Sequence, residues 1–191
     1  MKVIFGLGNP GDDYERTRHN VGWWFLDHLA DVWRFEGWRK DGNARVAGGA
    51  LGQHRVRLVK PQTYMNLSGA ALRPYSRRES WSASSDLLVV VDDAAIPVGT
   101  YRLRASGSSG GHNGLKSVEA ALRSQQYPRL RIGVGPPAGR ERRGDLADYV
   151  LGPFGKREAA EVRELLPRLT EAAETWLTDG IEVAMNRYNR R

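Results

Sequence analysis

The stretch Lys2-Val3-Ile4-Phe5-Gly6-Leu7, running into Gly8-Asn9-Pro10-Gly11, decides the fold. Val3, Ile4, Phe5 and Leu7 make the short apolar run of a buried strand, and the Gly/Asn/Pro cluster closes it as a turn. The next periodic segment is helical. Val21, Trp24, Phe25, His28, Leu29 and Val32 recur at helical spacing, which predicts a helix over 21–33 with those residues on one face. A buried strand feeding through a turn into an amphipathic helix is the unit of an α/β protein.

The alternation continues along the chain. Residues 44–51 and 56–60 read as a hairpin about Gly52-Gln53. A helix is predicted over 67–78, kinked or ended at Pro74. Residues 87–91, Leu-Leu-Val-Val-Val, have the composition of a fully buried strand, and 101–104 alternates like a half-exposed one. Residues 106–114 hold four glycines and are expected to be irregular, before a helix over 115–122. A strand over 130–134 is closed by Gly135-Pro136-Pro137. Residues 135–144 form the longest stretch expected to be mobile. A long helix is predicted over 156–177, with Leu165, Leu166, Leu169, Ala173 and Trp176 inside and Pro167 kinking or splitting it. A short helix over 181–188 ends the chain. With no internal repeat and no strong linker, the expectation is α/β in one domain over 1–191: a mixed, mostly parallel sheet flanked by helices.

Composition excludes several classes of protein. The 191 residues contain no cysteine, which removes disulfides, thiolate metal sites and a cysteine nucleophile. The longest apolar run is five residues, too short to cross a membrane as a helix. Met1-Lys2 leads straight into the first strand, so no signal peptide is expected and a soluble, cytoplasmic protein is. The formal charge is +7, and residues 99–145 hold nine basic residues against three acidic ones. These are Arg102, Arg104, Lys116, Arg123, Arg129, Arg131, Arg140, Arg142 and Arg143 against Glu119, Glu141 and Asp145. A basic excess gathered in one segment suits a polyanion, although a merely solvated surface has the same composition.

Two motifs are matched in letter only. Gly6-Leu7-Gly8-Asn9-Pro10-Gly11 fits the dinucleotide-binding G-x-G-x-x-G, with Asp27 or Asp31 near the required distance. That motif needs a helix opening within the turn. Here Pro10 interrupts it, Asp12-Asp13 oppose a phosphate, and helical periodicity starts only near Val21. Gly107-Ser108-Ser109-Gly110-Gly111 fits G-x-S-x-G, but the expected strand does not run directly into it, nor a helix directly out.

Four polar clusters remain, each at the end of a predicted element. They are Asn9 with Arg18-His19-Asn20, Met65-Asn66, Asp92-Asp93, and Gly110-Gly111-His112-Asn113-Gly114. In open α/β sheets the strand ends gather on one edge, where sites are built. A histidine with a carboxylate and no convincing nucleophile suits a base acting on water. Asparagines add uncharged donors for amides or a developing oxyanion. Each residue also has a plain structural reading: His19, Asn66 and His112-Asn113 as helix caps, and Asp92 and Asp93 as turn residues. Histidine ligands at close spacing, such as H-x-x-x-H, are absent, and no metal is expected.

Taken in order, the blocks resemble the bacterial peptidyl-tRNA hydrolase family. They are Gly6-Leu-Gly-Asn-Pro-Gly11, Thr17-Arg-His-Asn-Val-Gly22, Lys60-Pro-Gln-Thr-Tyr-Met-Asn-Leu-Ser-Gly69, Asp92-Asp93 with Pro97-Val-Gly99, Gly110-Gly-His-Asn-Gly-Leu-Lys116, Pro128-Arg-Leu-Arg-Ile-Gly-Val-Gly135, Tyr149-Val-Leu-Gly152 and Trp176-Leu-Thr-Asp-Gly180. Ala95 departs from the family, which usually has an acidic residue there. The resemblance implies hydrolysis of the ester between a peptide and the terminal ribose of tRNA, recycling the tRNA, by a monomer that needs no cofactor or metal. It implies His19 as general base, Asp92 as the group that orients it and Asn9 beside the scissile ester. It further implies Asn66 and Asn113 on the peptide or the water, Tyr14 and Tyr64 along the cleft, and Arg104 and Arg131 as a clamp on the tRNA 5′ phosphate. Two other readings are an RNA-binding module without turnover and a nucleotide-cofactor enzyme using the glycine turn. The intact His19, Asp92 and asparagine set argues against the first.

Overall fold

A computed structural model describes residues 1–137, 139–142 and 144–189. Seven strands form one mixed sheet in the order β2-β3-β4-β1-β5-β7-β6. The strands are β1 (Lys2–Gly6), β2 (Arg39–Asp41), β3 (Ala44–Leu51), β4 (His54–Pro61), β5 (Leu87–Pro97), β6 (Tyr101–Arg104) and β7 (Arg129–Gly135). The central strands β4, β1, β5 and β7 are parallel, while β2 and β3 on one edge and β6 on the other run antiparallel to their neighbours.

Strand alternation gives the sheet two apolar faces. Ile4, Leu58, Val90 and Ile132 meet the helices α1 (Val21–Val32), α6 (Lys156–Asp179) and α7 (Ile181–Tyr188). Phe5, Val59, Val89 and Val91 face α4 (Asn113–Leu122) and a 3-10 segment over Met65–Leu72. Both faces of the parallel strands are covered, which is why Leu87–Val91 reads as a continuous apolar run. Among the described residues no helix is long and apolar enough to cross a membrane.

The structure differs from the sequence reading in four places. In α1, Val32 is 51% exposed, while Gly22 and Leu26 are buried. A Cβ at Gly22 would lie 2.8 Å from the Val90 carbonyl oxygen and 2.9 Å from that of Leu7. The bare glycine draws the first turns onto the sheet, so Val21, Phe25, Leu26 and Leu29 carry the packing. Over 67–78, the 3-10 segment gives way to α2 (Arg73–Ser76), which Pro74 opens rather than ends. A missing N–H costs nothing in a first helical turn. Pro167 does not split α6, which runs unbroken over Lys156–Asp179. It sits on the exposed face, where water can take the freed carbonyl, while Leu166, Leu169, Ala173 and Trp176 hold the inner face. Finally, β5 runs on past Val91 to Pro97, so Asp92 and Asp93 lie within a strand and not in a turn.

Short elements the pattern did not announce are β2, α3 (Ala83–Asp86) and α5 (Leu146–Leu151). The expectation of mobility over 135–144 falls partly on Ala138, and the charge count partly on Arg143; both lie outside the described residues.

Candidate active site

The ends of β1, β4 and β5 and the start of α4 enclose a cavity of about 650 Å³. Asn9, His19, Asn66, Asp92, His112 and Asn113 line it together with Tyr64, Met65, Ser109 and Arg131. One wall is apolar: Leu146, Ala147, Val150 and Leu151 of α5.

Asp92 is the centre. Only 3% of it is exposed, and each carboxylate oxygen faces a histidine. His19 Nδ1 lies 2.8 Å from Oδ2, and His112 Nε2 lies 2.7 Å from Oδ1. His19 stands in a 3-10 turn, Arg18–Asn20, just before α1 on one face of the sheet. His112 is the N-cap of α4 on the other face. Burial alone would push the Asp92 carboxyl up, but the two imidazoles hold it well below the usual carboxylate range.

The two histidines differ in what their other nitrogen does. His112 Nδ1 accepts from the backbone N–H groups of Gly114 (3.1 Å) and Leu115 (3.4 Å). That nitrogen therefore carries no proton, and Nε2–H donates to Asp92. His19 Nδ1 faces the Asp92 carboxylate, and among the described residues its Nε2 bonds no protein group; in the neutral ring that donates Nδ1–H, Nε2 is a lone pair beside the cavity. Of the pair, His19 is the one with a free base.

Asn9 is 6% exposed and held on three sides. Its backbone N–H donates to Asn20 Oδ1, its carbonyl accepts from Asn20 Nδ2, and its Oδ1 accepts the Met65 N–H at 2.7 Å. With the amide oxygen taken, Nδ2 is the group that Asn9 offers the cavity, and it is a donor. Asn66 and Asn113 are exposed at the rim of the cavity. Neither is a cap: Tyr64 and His112 hold those positions. His19 is not one either, since Asn20 precedes α1.

Tyr64 lines the cavity, whereas Tyr14 packs edge-on against it with ring centroids 6.4 Å apart and reaches the site only through it. Arg131 also lines the cavity; Arg104 stands outside it, exposed on β6. Register pairs Arg102 with Arg131 and Arg104 with Arg129 across β6 and β7, so all four project from one face. Arg129 is fully buried, gives its Nη groups to the Ser108 and Gln125 carbonyls, and lies 4.1 Å from the Tyr127 ring centroid. It belongs to the framework and not to the basic surface.

Both rejected motifs lack the required geometry. Gly8 faces the Trp23 indole, which a Cβ there would meet at 2.7 Å, and α1 opens only at Val21. The indole fills the space a pyrophosphate would need. Ser109 sits in the loop between β6 and α4, and no histidine or carboxylate among the described residues bonds its hydroxyl.

His19, Asp92 and His112 place three ligand-type atoms within 4.8 Å of one another. Ligands of a tetrahedral zinc ion stand about 3.4 Å apart. The contacts of 2.7 and 2.8 Å here are shorter than that spacing and have the length of hydrogen bonds.

Arg18 belongs to the first polar cluster, where the sequence assigns it no role of its own. Its guanidinium donates to the Tyr149 carbonyl (3.2 Å) and to Glu158 Oε2 (2.9 Å), and lies 4.3 Å from the Tyr149 ring centroid. Its backbone N–H bonds the Gly152 carbonyl. The residue next to His19 thus ties down α5, the apolar wall. Asn20 was likewise missed as the frame of Asn9. The signal for both was proximity to His19 in the Arg18-His19-Asn20 block.

A family profile described as peptidyl-tRNA hydrolase matches residues 3–191. Peptidyl-tRNA hydrolase of Gemmatimonas aurantiaca is 57% identical over 190 residues, covering 100% of both chains. That of Alkaliphilus oremlandii is 48% identical over 99% of this chain and 100% of its own. Among solved structures, peptidyl-tRNA hydrolase from Acinetobacter baumannii aligns with a TM-score of 0.87 at 32% identity, over 99% of this chain and 94% of that one.

Proposed function

The chain belongs to the peptidyl-tRNA hydrolase family, and on that premise we propose that it cleaves the ester joining a peptide to the 3′-terminal ribose of tRNA, with His19 activating the attacking water. The observation that carries this reading is the division between the two histidines: Asp92 bonds one ring nitrogen of each, and among the described residues the second nitrogen of His112 is taken by backbone N–H groups while that of His19 has no protein partner.

The steps follow from that arrangement. His19 Nε2 takes a proton as water adds to the ester carbonyl carbon. The imidazolium that forms faces the ionised Asp92 carboxylate, which lowers its energy. Asn9 Nδ2 donates to the oxygen that gains charge, a contribution of roughly 10²–10³-fold where such a donor is well placed. Collapse expels the ribose oxygen, which takes the proton back from His19. An ester leaves more readily than an amide, so no covalent nucleophile is required. Asn66 and Asn113 hold the peptide amides or the water, and Tyr64, backed by Tyr14, bounds the cleft. Arg131 and Arg104 grip the tRNA 5′ phosphate, with affinity that falls as salt rises. The reading includes action in the cytoplasm, as a monomer and without a metal ion.

Release of an N-blocked amino acid from tRNA, measured with and without a chelator, tests it. The expected result is equal turnover in both. Loss of activity with chelator, restored by a divalent metal, would overturn the metal-free water mechanism.

A further inference from the structure

Asp93 neighbours the catalytic carboxylate but projects from the other face of β5, on the side of Val91 and Arg131. Its Oδ1 accepts the Ala95 N–H at 2.9 Å, which fixes the carboxylate, and its Oδ2 lies 3.2 Å from Arg131 Nη1. Arg131 Nη2 donates to the Ser108 carbonyl at 3.1 Å. The two side chains are 15% and 19% exposed, and both line the cavity. Arg131 thus already holds an anion at the place where a phosphate would bind.

We infer that Asp93 is a specificity-determining residue that makes Arg131 selective for a terminal phosphate monoester over an internal phosphodiester. This rests on the phosphate reading of Arg131 given above. A carboxylate carries one negative charge, as does a phosphodiester, so exchanging one for the other at Arg131 gains little. A terminal monoester carries about −1.5 to −2 at neutral pH and presents three acceptor oxygens. It displaces Asp93; a diester of the RNA backbone does not. Selectivity comes from a resident competitor rather than from an added attraction. Because Ser108 also holds the guanidinium, Arg131 keeps its pose when Asp93 lets go. Among the described residues Asp93 is the acidic side chain that bonds Arg131.

The test uses an N-blocked aminoacyl-tRNA with its 5′ phosphate and the same tRNA after dephosphorylation. KM and kcat are measured for the wild-type protein, Asp93→Asn and Asp93→Glu. Asn retains the acceptor for the Ala95 N–H, and thermal unfolding checks that it folds. Wild type is expected to show the higher KM for the dephosphorylated substrate. In Asp93→Asn both KM values fall, the dephosphorylated one more, so that their ratio narrows by about threefold, the scale of a partly exposed ion pair. kcat should hold within about twofold, and Asp93→Glu should restore the wild-type ratio. A ratio unchanged or widened in Asp93→Asn, or higher KM for both substrates, overturns the inference alone. A wild-type ratio of one overturns the phosphate reading of Arg131 and the inference with it.

Discussion

Asp92 and Asp93 are adjacent on one strand, yet the regions they serve behave in opposite ways. Asp92 lies on the face of Val90, 3% exposed, and receives two ring N–H groups that are both set by the fold. Asp93 lies on the face of Val91, at the cavity edge, and receives a guanidinium that a ligand can claim. Two-residue alternation alone assigns one aspartate to a fixed corner and the other to an exchangeable edge. A buried pair with every partner satisfied holds geometry; a partly exposed pair at a cavity contributes less stability and is free to swap.

Breaking the fixed corner has the largest expected effect. His19→Ala should lower kcat on the order of 10³-fold, within the usual span for a general base, while tRNA binding persists. His112→Ala should cost kcat only about tenfold, since its ring supplies no base, but should lower the melting temperature through the lost cap, worth about 1 kcal/mol. Rates and melting curves of the two variants decide whether the histidines are distinct; equal losses of kcat would mean that they are not.

A second test addresses the Asp92 charge through pH. The folded carboxyl titrates well below its unfolded value, so its stabilising contribution is fully present above the unfolded pKa and is lost as pH falls through the folded one. The stability gap between wild type and Asp92→Asn should still be present at about pH 5 and narrow as pH falls below about 4, the ordinary aspartate range. Thermal unfolding across that range measures it. A gap that closes above pH 5 would contradict a depressed carboxyl.

The smallest effect is expected at the exchangeable edge. Arg104→Ala should raise KM by about threefold and flatten its dependence on salt, with the loss falling mainly on binding. An unchanged salt slope in KM would remove Arg104 from the phosphate contact.

Much of the fixed corner was legible in the sequence because its residues close predicted elements. Asn9 follows β1, Asp92 continues the apolar run of β5, and His112 precedes α4, which Asn113 opens. Helix and strand periods located those ends, and sheet topology gathered them. The roles of individual atoms were not legible. Which nitrogen of His112 is protonated depends on two N–H groups across a helix turn, and the Asn9 amide orientation depends on Met65, distant in the chain. Nor did the wall of the cleft announce itself. The six residues of α5 make fewer than two turns, too few for a clear helical period, and they gain a fixed place through Arg18 and Glu158. The basic segment was overcounted for a related reason: charge tallied along the chain does not reveal that Arg129 is buried.

The cap of α4 has a consequence for how this chain can vary. One ring at position 112 accepts from two backbone N–H groups and bonds the Asp92 carboxylate. Asparagine carries both functions on a shorter stem and glutamine on a looser one. An ionised acid lacks the donor, and lysine or arginine lacks the acceptor. Mutational drift at that position is therefore confined by folding and chemistry at once. The start of a helix and the setting of the Asp92 carboxylate cannot be varied one at a time.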